Sequence, residues 1–157
     1  MTRSVSIKKI TVNDDLHKIV LEIQKANWVA ASEILPEDYS VPDLKEFLLR
    51  SESVFVAAYS DEQFAGMASA KILNKPNGDV WLYIDEVDVC ENYQKQGVGK
   101  TLMNYLFSFA QECDCVEVWL GTEVENEPAN ALYKSLTPSE IRSFIGYTYT
   151  LNRIILL

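Results

Sequence analysis

The run Glu86-Val87-Asp88-Val89-Cys90-Glu91-Asn92-Tyr93-Gln94-Lys95-Gln96-Gly97-Val98-Gly99-Lys100-Thr101-Leu102 decides how this chain is read. Its first part closes the strongly apolar segment Val80 to Val89, which reads as a strand. Its last part opens Gly97 to Glu112, where Val98, Leu102, Leu106, Phe109 and Cys113 share one helical face. The loop between them carries Gln94-Lys95-Gln96-Gly97-Val98-Gly99-Lys100. A strand-to-helix junction of this kind exposes backbone N–H groups at the positive end of a helix dipole, a site for a pyrophosphate. Gly97 and Gly99 lack a Cβ, which permits close approach of phosphates to the backbone, and Lys95 and Lys100 add positive charge in an acidic chain. The alternative is a tight turn with two solvated lysines.

Two other phosphate-binding patterns fail on single residues. Gly99-Lys100-Thr101 resembles the end of a Walker A loop, but the position that needs a glycine five residues before Gly99 holds Gln94. The dinucleotide fingerprint GxGxxG requires glycine where Leu102 stands.

Outward from the loop, Val5 to Ile10 alternates like a strand, and Thr11 to Trp28 places Leu16, Ile19, Val20 and Ile23 at helical spacing, with Asn13 or Thr11 as cap. Leu35 to Pro42 reads as a loop and Leu44 to Arg50 as a short helix. Val54 to Tyr59 and Phe64 to Leu73 form a hairpin around Ser60-Asp61-Glu62-Gln63. Beyond the long helix come a strand at Val116 to Gly121, a helix at Pro128 to Leu136 and a final strand at Ile141 to Leu151. This order predicts an α/β (α+β) fold with a mixed, mostly antiparallel sheet flanked by helices.

The 157 residues fit one domain spanning 1–157. A formal net charge of −9 disfavours nucleic acid and favours a cationic substrate. Three cysteines, Cys90, Cys113 and Cys115, form no disulfide framework and point to reduced thiols in a cytoplasm. They lack the histidine partners of a standard zinc site, so no metal is expected. His17, the single histidine, sits in a helical region and is not assigned to chemistry. The N-terminus has no apolar core of a signal peptide, and no apolar run approaches the roughly 18 residues of a membrane span.

Gln94, Gly97 and Gly99 satisfy the pattern Q/R-x-x-G-x-G/A, and Asn126, Ala129, Leu132 and Tyr133 satisfy N-x-x-A-x-x-L-Y on the helix after the next strand. Both motifs, in this order, resemble the GNAT acetyltransferase superfamily from Val5 to Leu151. The resemblance implies acetyl-coenzyme A as cosubstrate. It implies that Glu86-Val87-Asp88-Val89 splays from its neighbour and pairs with the pantetheine arm. Gln94, Lys95, Gln96, Gly97, Val98, Gly99 and Lys100 would wrap the pyrophosphate, and Asn126 would touch the cofactor arm. Tyr133 would bring its hydroxyl to the thioester sulfur as general acid, with a core aromatic as the alternative. Glu86 and Glu123 are the candidate bases or ammonium binders, on strand positions facing the cleft, with Asp85 and Asp88 as lesser candidates. Asp88 should point opposite to Val87 and Val89.

Within the superfamily the chain is similar to aminoglycoside 3-N-acetyltransferases, through Pro42-Asp43 to Leu48-Leu49-Arg50-Ser51, Trp81 to Val87, and Glu127 to Tyr133. That similarity implies a small polyamine-like or aminoglycoside acceptor and antibiotic resistance. A peptide or protein N-acetyltransferase and a non-catalytic coenzyme A-binding sensor are the alternatives. One departure is local: Thr137-Pro138-Ser139 follows the tyrosine helix where a glycine-aromatic turn is usual. Finally, Ile154-Ile155-Leu156-Leu157 is an apolar end. Exposing four such side chains costs a few kcal/mol at roughly 25 cal/mol per Å². The tail should therefore pack either on its own sheet or on a second copy, and the resemblance to GNAT chains, which often associate through such strands, implies a homodimer with two-fold symmetry.

Overall fold

A computed structural model describes residues 3–29, 32 and 34–152. The strands are β1 (Val5–Lys9), β2 (Ser53–Ser60), β3 (Gln63–Asn74), β4 (Val80–Val89) and β5 (Glu117–Trp119). The helices are α1 (Leu16–Lys25), α2 (Val41–Leu49), α3 (Val98–Glu112) and α4 (Glu127–Ser135). The strands form one sheet in the order β1-β2-β3-β4-β5, antiparallel except for the parallel pair β4–β5. This is the mixed, mostly antiparallel α/β architecture expected.

Strand alternation divides the core between the two faces of the sheet. Val54, Val56, Ala68, Ala70, Leu82 and Ile84 meet Val98, Leu102, Met103 and Leu106 of α3. Phe55, Ala57 and Met67 meet Ile19, Ile23 and Leu44 of α1 and α2. Each fully buried aliphatic side chain in these layers contributes roughly 1.5–3 kcal/mol, so the sheet is held from both sides. The β2–β3 turn uses Asp61 and Glu62 at φ 47° and 68°, the left-handed pair that matches strand twist.

Local polar chemistry moved several expected boundaries. The first helix begins at Leu16, because Asp15 caps it by accepting from Lys18 N and Thr11 to Asp14 forms its own turn, with Thr11 N donating to Asp14. Neither Asn13 nor Thr11 is the cap. The segment read as a loop at Leu35 to Pro42 holds a 3-10 turn at Pro36–Asp38, and Ser40 caps α2 with Pro42 in its first turn. The fifth strand is shorter than Val116 to Gly121.

The final strand expected at Ile141 to Leu151 is not formed: the residues run without helix, turn or ladder. β-propensity prepares a strand, but the ladder needs a neighbouring backbone, and among the described residues none is supplied. The tail Ile154 to Leu157 lies outside the described residues. Among the described residues no helix is long and apolar enough to cross a membrane.

Candidate active site

The β4–β5 ladder ends early. Trp81, Leu82 and Tyr83 pair with Glu117, Val118 and Trp119, and no pairing continues beyond Tyr83. On its other edge β4 stays paired with β3 as far as Val89, across an irregularity between Ser69 and Ala70 where Asp85 is the extra residue. Among the described residues the outer edge of Glu86 to Val89 is thus left without a strand partner, a place where an extended ligand can take up backbone hydrogen bonds.

Side chains along this stretch alternate as expected. Val87 and Val89 pack on the α3 face, while Asp88 accepts from Ser32 Oγ at 2.9 Å on the α1–α2 face. Glu86 shares that face. Its Oε2 accepts from the Tyr39 hydroxyl at 3.2 Å, and Ser69, buried opposite it on β3, is a second donor. Burial raises the Glu86 pKa above the ordinary carboxylate value, the charge of Asp88 raises it further, and the hydrogen bond from Tyr39 works against both. Tyr39 is raised in turn by burial and by the Glu86 charge. Tyr39 was missed in the sequence because its segment carries two prolines and reads as connection. The Ser40 cap and first-turn Pro42 that orient it were the available signal.

Tyr133 lies on the half-buried face of α4 against the α3 core. Burial, then the Asp88 charge, pushes its hydroxyl up to about 12. Asp88 therefore acts electrostatically on both Glu86 and Tyr133. Glu86 and Tyr39, both perturbed and hydrogen-bonded to each other on the open stretch of β4, make this stretch a candidate site.

The Gln94 to Lys100 loop is a second, adjoining part. A 3-10 turn at Glu91–Tyr93 leads to Gln94, and Gln96 Nε2 donates to Asn92 O at 3.0 Å. Lys95 takes φ 57° and Gly97 φ 82°. Gly97 is the N-cap of α3 and offers no side chain to its first N–H groups, which leaves them available to a ligand. A Cβ at Gly97 would meet no atom within 4 Å, so the requirement for glycine there is conformational.

Gly99 has a different reason. A Cβ on it would stand 2.9 Å from Leu132 Cδ2 and 3.6 Å from Val89 Cγ2. Its bareness lets α4 pack against the start of α3, a packing reason for glycine at this position. Gly99→Val should consequently displace Leu132 and its neighbour Tyr133. We expect turnover to fall at least about tenfold and stability to fall by about 1–3 kcal/mol, as overpacking does. Melting curves and steady-state rates check this.

Asn126 is the N-cap of α4, its Oδ1 accepting from Ala129 N at 3.2 Å, so its side chain has a structural role at the helix start. Glu123 is on no strand. It lies exposed in the β5–α4 connection, where its carbonyl accepts from Asn126 N and from Asn130 Nδ2.

An open hollow of about 830 Å³ lies between α1 and the Glu91–Tyr93 turn, lined by residues including Leu21, Phe64 and Cys90. It contains neither Glu86 nor Tyr133 and is not the reacting centre. Burial pushes the Cys90 thiol up to about 12, so it carries no thiolate at neutral pH.

The sequence pattern of the Acetyltransferase (GNAT) family matches residues 17–137. The chain is 30% identical over 120 residues to N-alpha-acetyltransferase 30 of Dictyostelium discoideum, a match covering 74% of this chain and 62% of that protein. By structure it is similar to an aminoglycoside acetyltransferase from an uncultured soil metagenomic sample, solved in complex with sisomicin. The TM-score is 0.79 at 21% identity, covering 94% of this chain and 97% of that one. It is also similar to AAC(6')-Iy in complex with a bisubstrate analog of coenzyme A and acetylneamine, with TM-score 0.72 at 17% identity and 94% and 99% coverage. With the matched pattern spanning most of its length, the chain belongs to the acetyltransferase (GNAT) family, whose members use acetyl-coenzyme A.

Proposed function

We propose that residues 1–157 form a single acetyl-coenzyme A-dependent N-acetyltransferase domain acting on a primary amine of a small polyamine-like or aminoglycoside acceptor. The observation that carries this reading is the acidic stretch Asp85-Glu86-Asp88 on the open edge of β4, whose Asp88 charge also raises the pKa of Tyr133. The cofactor arm runs along Glu86 to Val89, and its pyrophosphate lies over Gln94 to Lys100, where the uncapped helix and exposed Lys95 and Lys100 fit an anion.

The acceptor arrives as an ammonium ion, drawn by a net charge of −9 and held at Glu86. It gives one proton to Glu86, directly or through water, and the free amine attacks the thioester carbonyl carbon. As the C–N bond forms and the C–S bond breaks, Tyr133 donates a hydrogen bond to the departing sulfur. The thiol leaves with one proton, and the other passes from Glu86 to solvent. With the Tyr133 pKa near 12 against about 8.5 for a thiol, the hydroxyl stabilises the thiolate more than it transfers its proton outright. The buried, protonated state of Cys90 favours direct attack in a ternary complex over an acyl-cysteine route. Asn126 lies beside the cofactor arm, and Glu123 is the second candidate for holding the ammonium group. The protein works in the cytoplasm as a homodimer, and an aminoglycoside acceptor would make it a resistance enzyme.

A peptide acceptor is the second reading, favoured by the similarity to an N-alpha-acetyltransferase. A thiol-release assay with acetyl-coenzyme A against aminoglycosides, polyamines and peptides separates the two. Aminoglycosides or polyamines are expected to turn over with kcat/KM at least about tenfold above peptides. Turnover of peptides alone would overturn the small-amine assignment.

A further inference from the structure

The arginines among the described residues are not used alike. Arg50 pairs with Glu46 at 3.2 Å and Arg142 with Glu140 at 3.4 Å. Arg3 pairs with no carboxylate among the described residues. Its Nη1 donates instead to Gln96 Oε1 at 3.2 Å, across 93 positions of sequence and inside the loop Gln94 to Lys100. In a chain of 23 acidic and 14 basic residues, a guanidinium bonded to a neutral amide is a cation open to an anion.

The fold holds Arg3 in this place. Next to it, Ser4 N donates to Asp61 Oδ1 at 3.3 Å and Ser4 O accepts from Asp61 N at 3.0 Å, so the backbone is tied to the β2–β3 turn by two hydrogen bonds. Val5 and Ile7 of β1 pack on the α3 face of the sheet, and Arg3 continues that side toward the start of α3. Gln96 is held in turn, its Nε2 donating to Asn92 O at 3.0 Å. It brackets Arg3 to the Glu91–Tyr93 turn, one residue before the uncapped N-terminus of α3. A guanidinium has a planar fork of N–H donors, and the bond to Gln96 leaves most of them for a phosphate.

Coenzyme A carries a phosphate monoester on its ribose 3′ oxygen besides its pyrophosphate. In the proposed function the pyrophosphate is met by the start of α3 with Lys95 and Lys100. The monoester is close to dianionic at neutral pH, since its second pKa is about 6. A net charge of −9 repels such a group unless a cation stands beside it. We propose that Arg3 holds the ribose 3′-phosphate of the cofactor and makes the protein prefer acetyl-coenzyme A over its 3′-dephospho form. Arginine suits the task because its fork can bond a phosphate through two parallel N–H groups, whereas a lysine acts as a point charge. The inference rests on the coenzyme A reading of the loop, and it adds a residue that lies outside both sequence motifs.

Calorimetric titration with acetyl-coenzyme A and with its 3′-dephospho analogue tests it. At low salt the wild type should bind acetyl-coenzyme A about tenfold or more tightly than the analogue, and the preference should shrink as salt rises to about 0.5 M. Arg3→Gln removes the charge and keeps a polar amide at an exposed position. The variant should bind both ligands with the affinity that the wild type shows for the analogue. Equal binding of the two ligands by the wild type, or a wild-type preference kept by Arg3→Gln, overturns the assignment. So does a variant that weakens both ligands by the same factor, which would make Arg3 a residue that only holds the loop through Gln96. A wild type that binds neither ligand overturns the coenzyme A reading, and this assignment with it.

Discussion

Tyr133→Phe is expected to lower kcat by about 10- to 10⁴-fold while leaving the dissociation constant for acetyl-coenzyme A within about threefold of the wild type. The phenyl ring still fills its place on the α4 face that packs against the α3 core, so the helix stays put. What is removed is one hydroxyl, which burial and Asp88 keep protonated throughout the neutral range. In the proposed mechanism that hydroxyl acts only on charge that develops as sulfur leaves, and an interaction made only in the transition state appears in kcat and not in ground-state binding. Steady-state rates with a calorimetric titration test the split. A wild-type kcat in the variant, with acyl transfer shown to be rate-limiting, would reduce Tyr133 to a packing residue.

Glu86→Gln is expected to have the second largest effect, a loss of about 10²- to 10⁴-fold in kcat/KM for the acceptor. Its pH dependence identifies the role. Burial and the neighbouring Asp88 raise the Glu86 pKa, so the acid limb of the wild-type profile should lie above the ordinary carboxylate value of about 4.3, and the variant should lose that limb. Stability should move the other way. A carboxyl with a raised folded-state pKa binds its proton more tightly when folded, so its contribution to stability declines as pH rises through that pKa. Near pH 7 the neutral amide should therefore melt at or above the wild-type temperature, although it is less active. A variant that keeps both the rate and the acid limb would remove Glu86 from the chemistry.

The parts of the fold that were legible in the sequence rest on local signals. The α3 helix and its loop could be read because apolar spacing, a glycine at a left-handed cap and a strong preceding strand all lie within about two dozen residues. Asp88 and its opposed valines followed from strand alternation alone. The misses depend on partners that sequence distance hides. Gly99 is set by Leu132, on another helix. Tyr39 gains its meaning from a carboxylate 47 positions away. The capping hydrogen bond that Asn126 makes shows only once α4 begins at Glu127. The segment expected as the last strand carries strand propensity and alternation, but a ladder also requires a second backbone, and none among the described residues lies beside it.

The central claim is that the β4 edge and the Gln94 to Lys100 loop hold acetyl-coenzyme A. Calorimetric titration of the full-length protein with acetyl-coenzyme A tests it most directly. One cofactor per chain should bind at micromolar concentrations, and a ligand that binds only the folded state raises the melting temperature, by about 2.7 kcal/mol of added stability at a hundredfold excess over Kd. Gly97→Val, which forces a β-branched residue into a φ of 82°, should abolish that heat without unfolding the sheet. Absence of both heat and thermal shift for the wild type at millimolar cofactor would contradict the account.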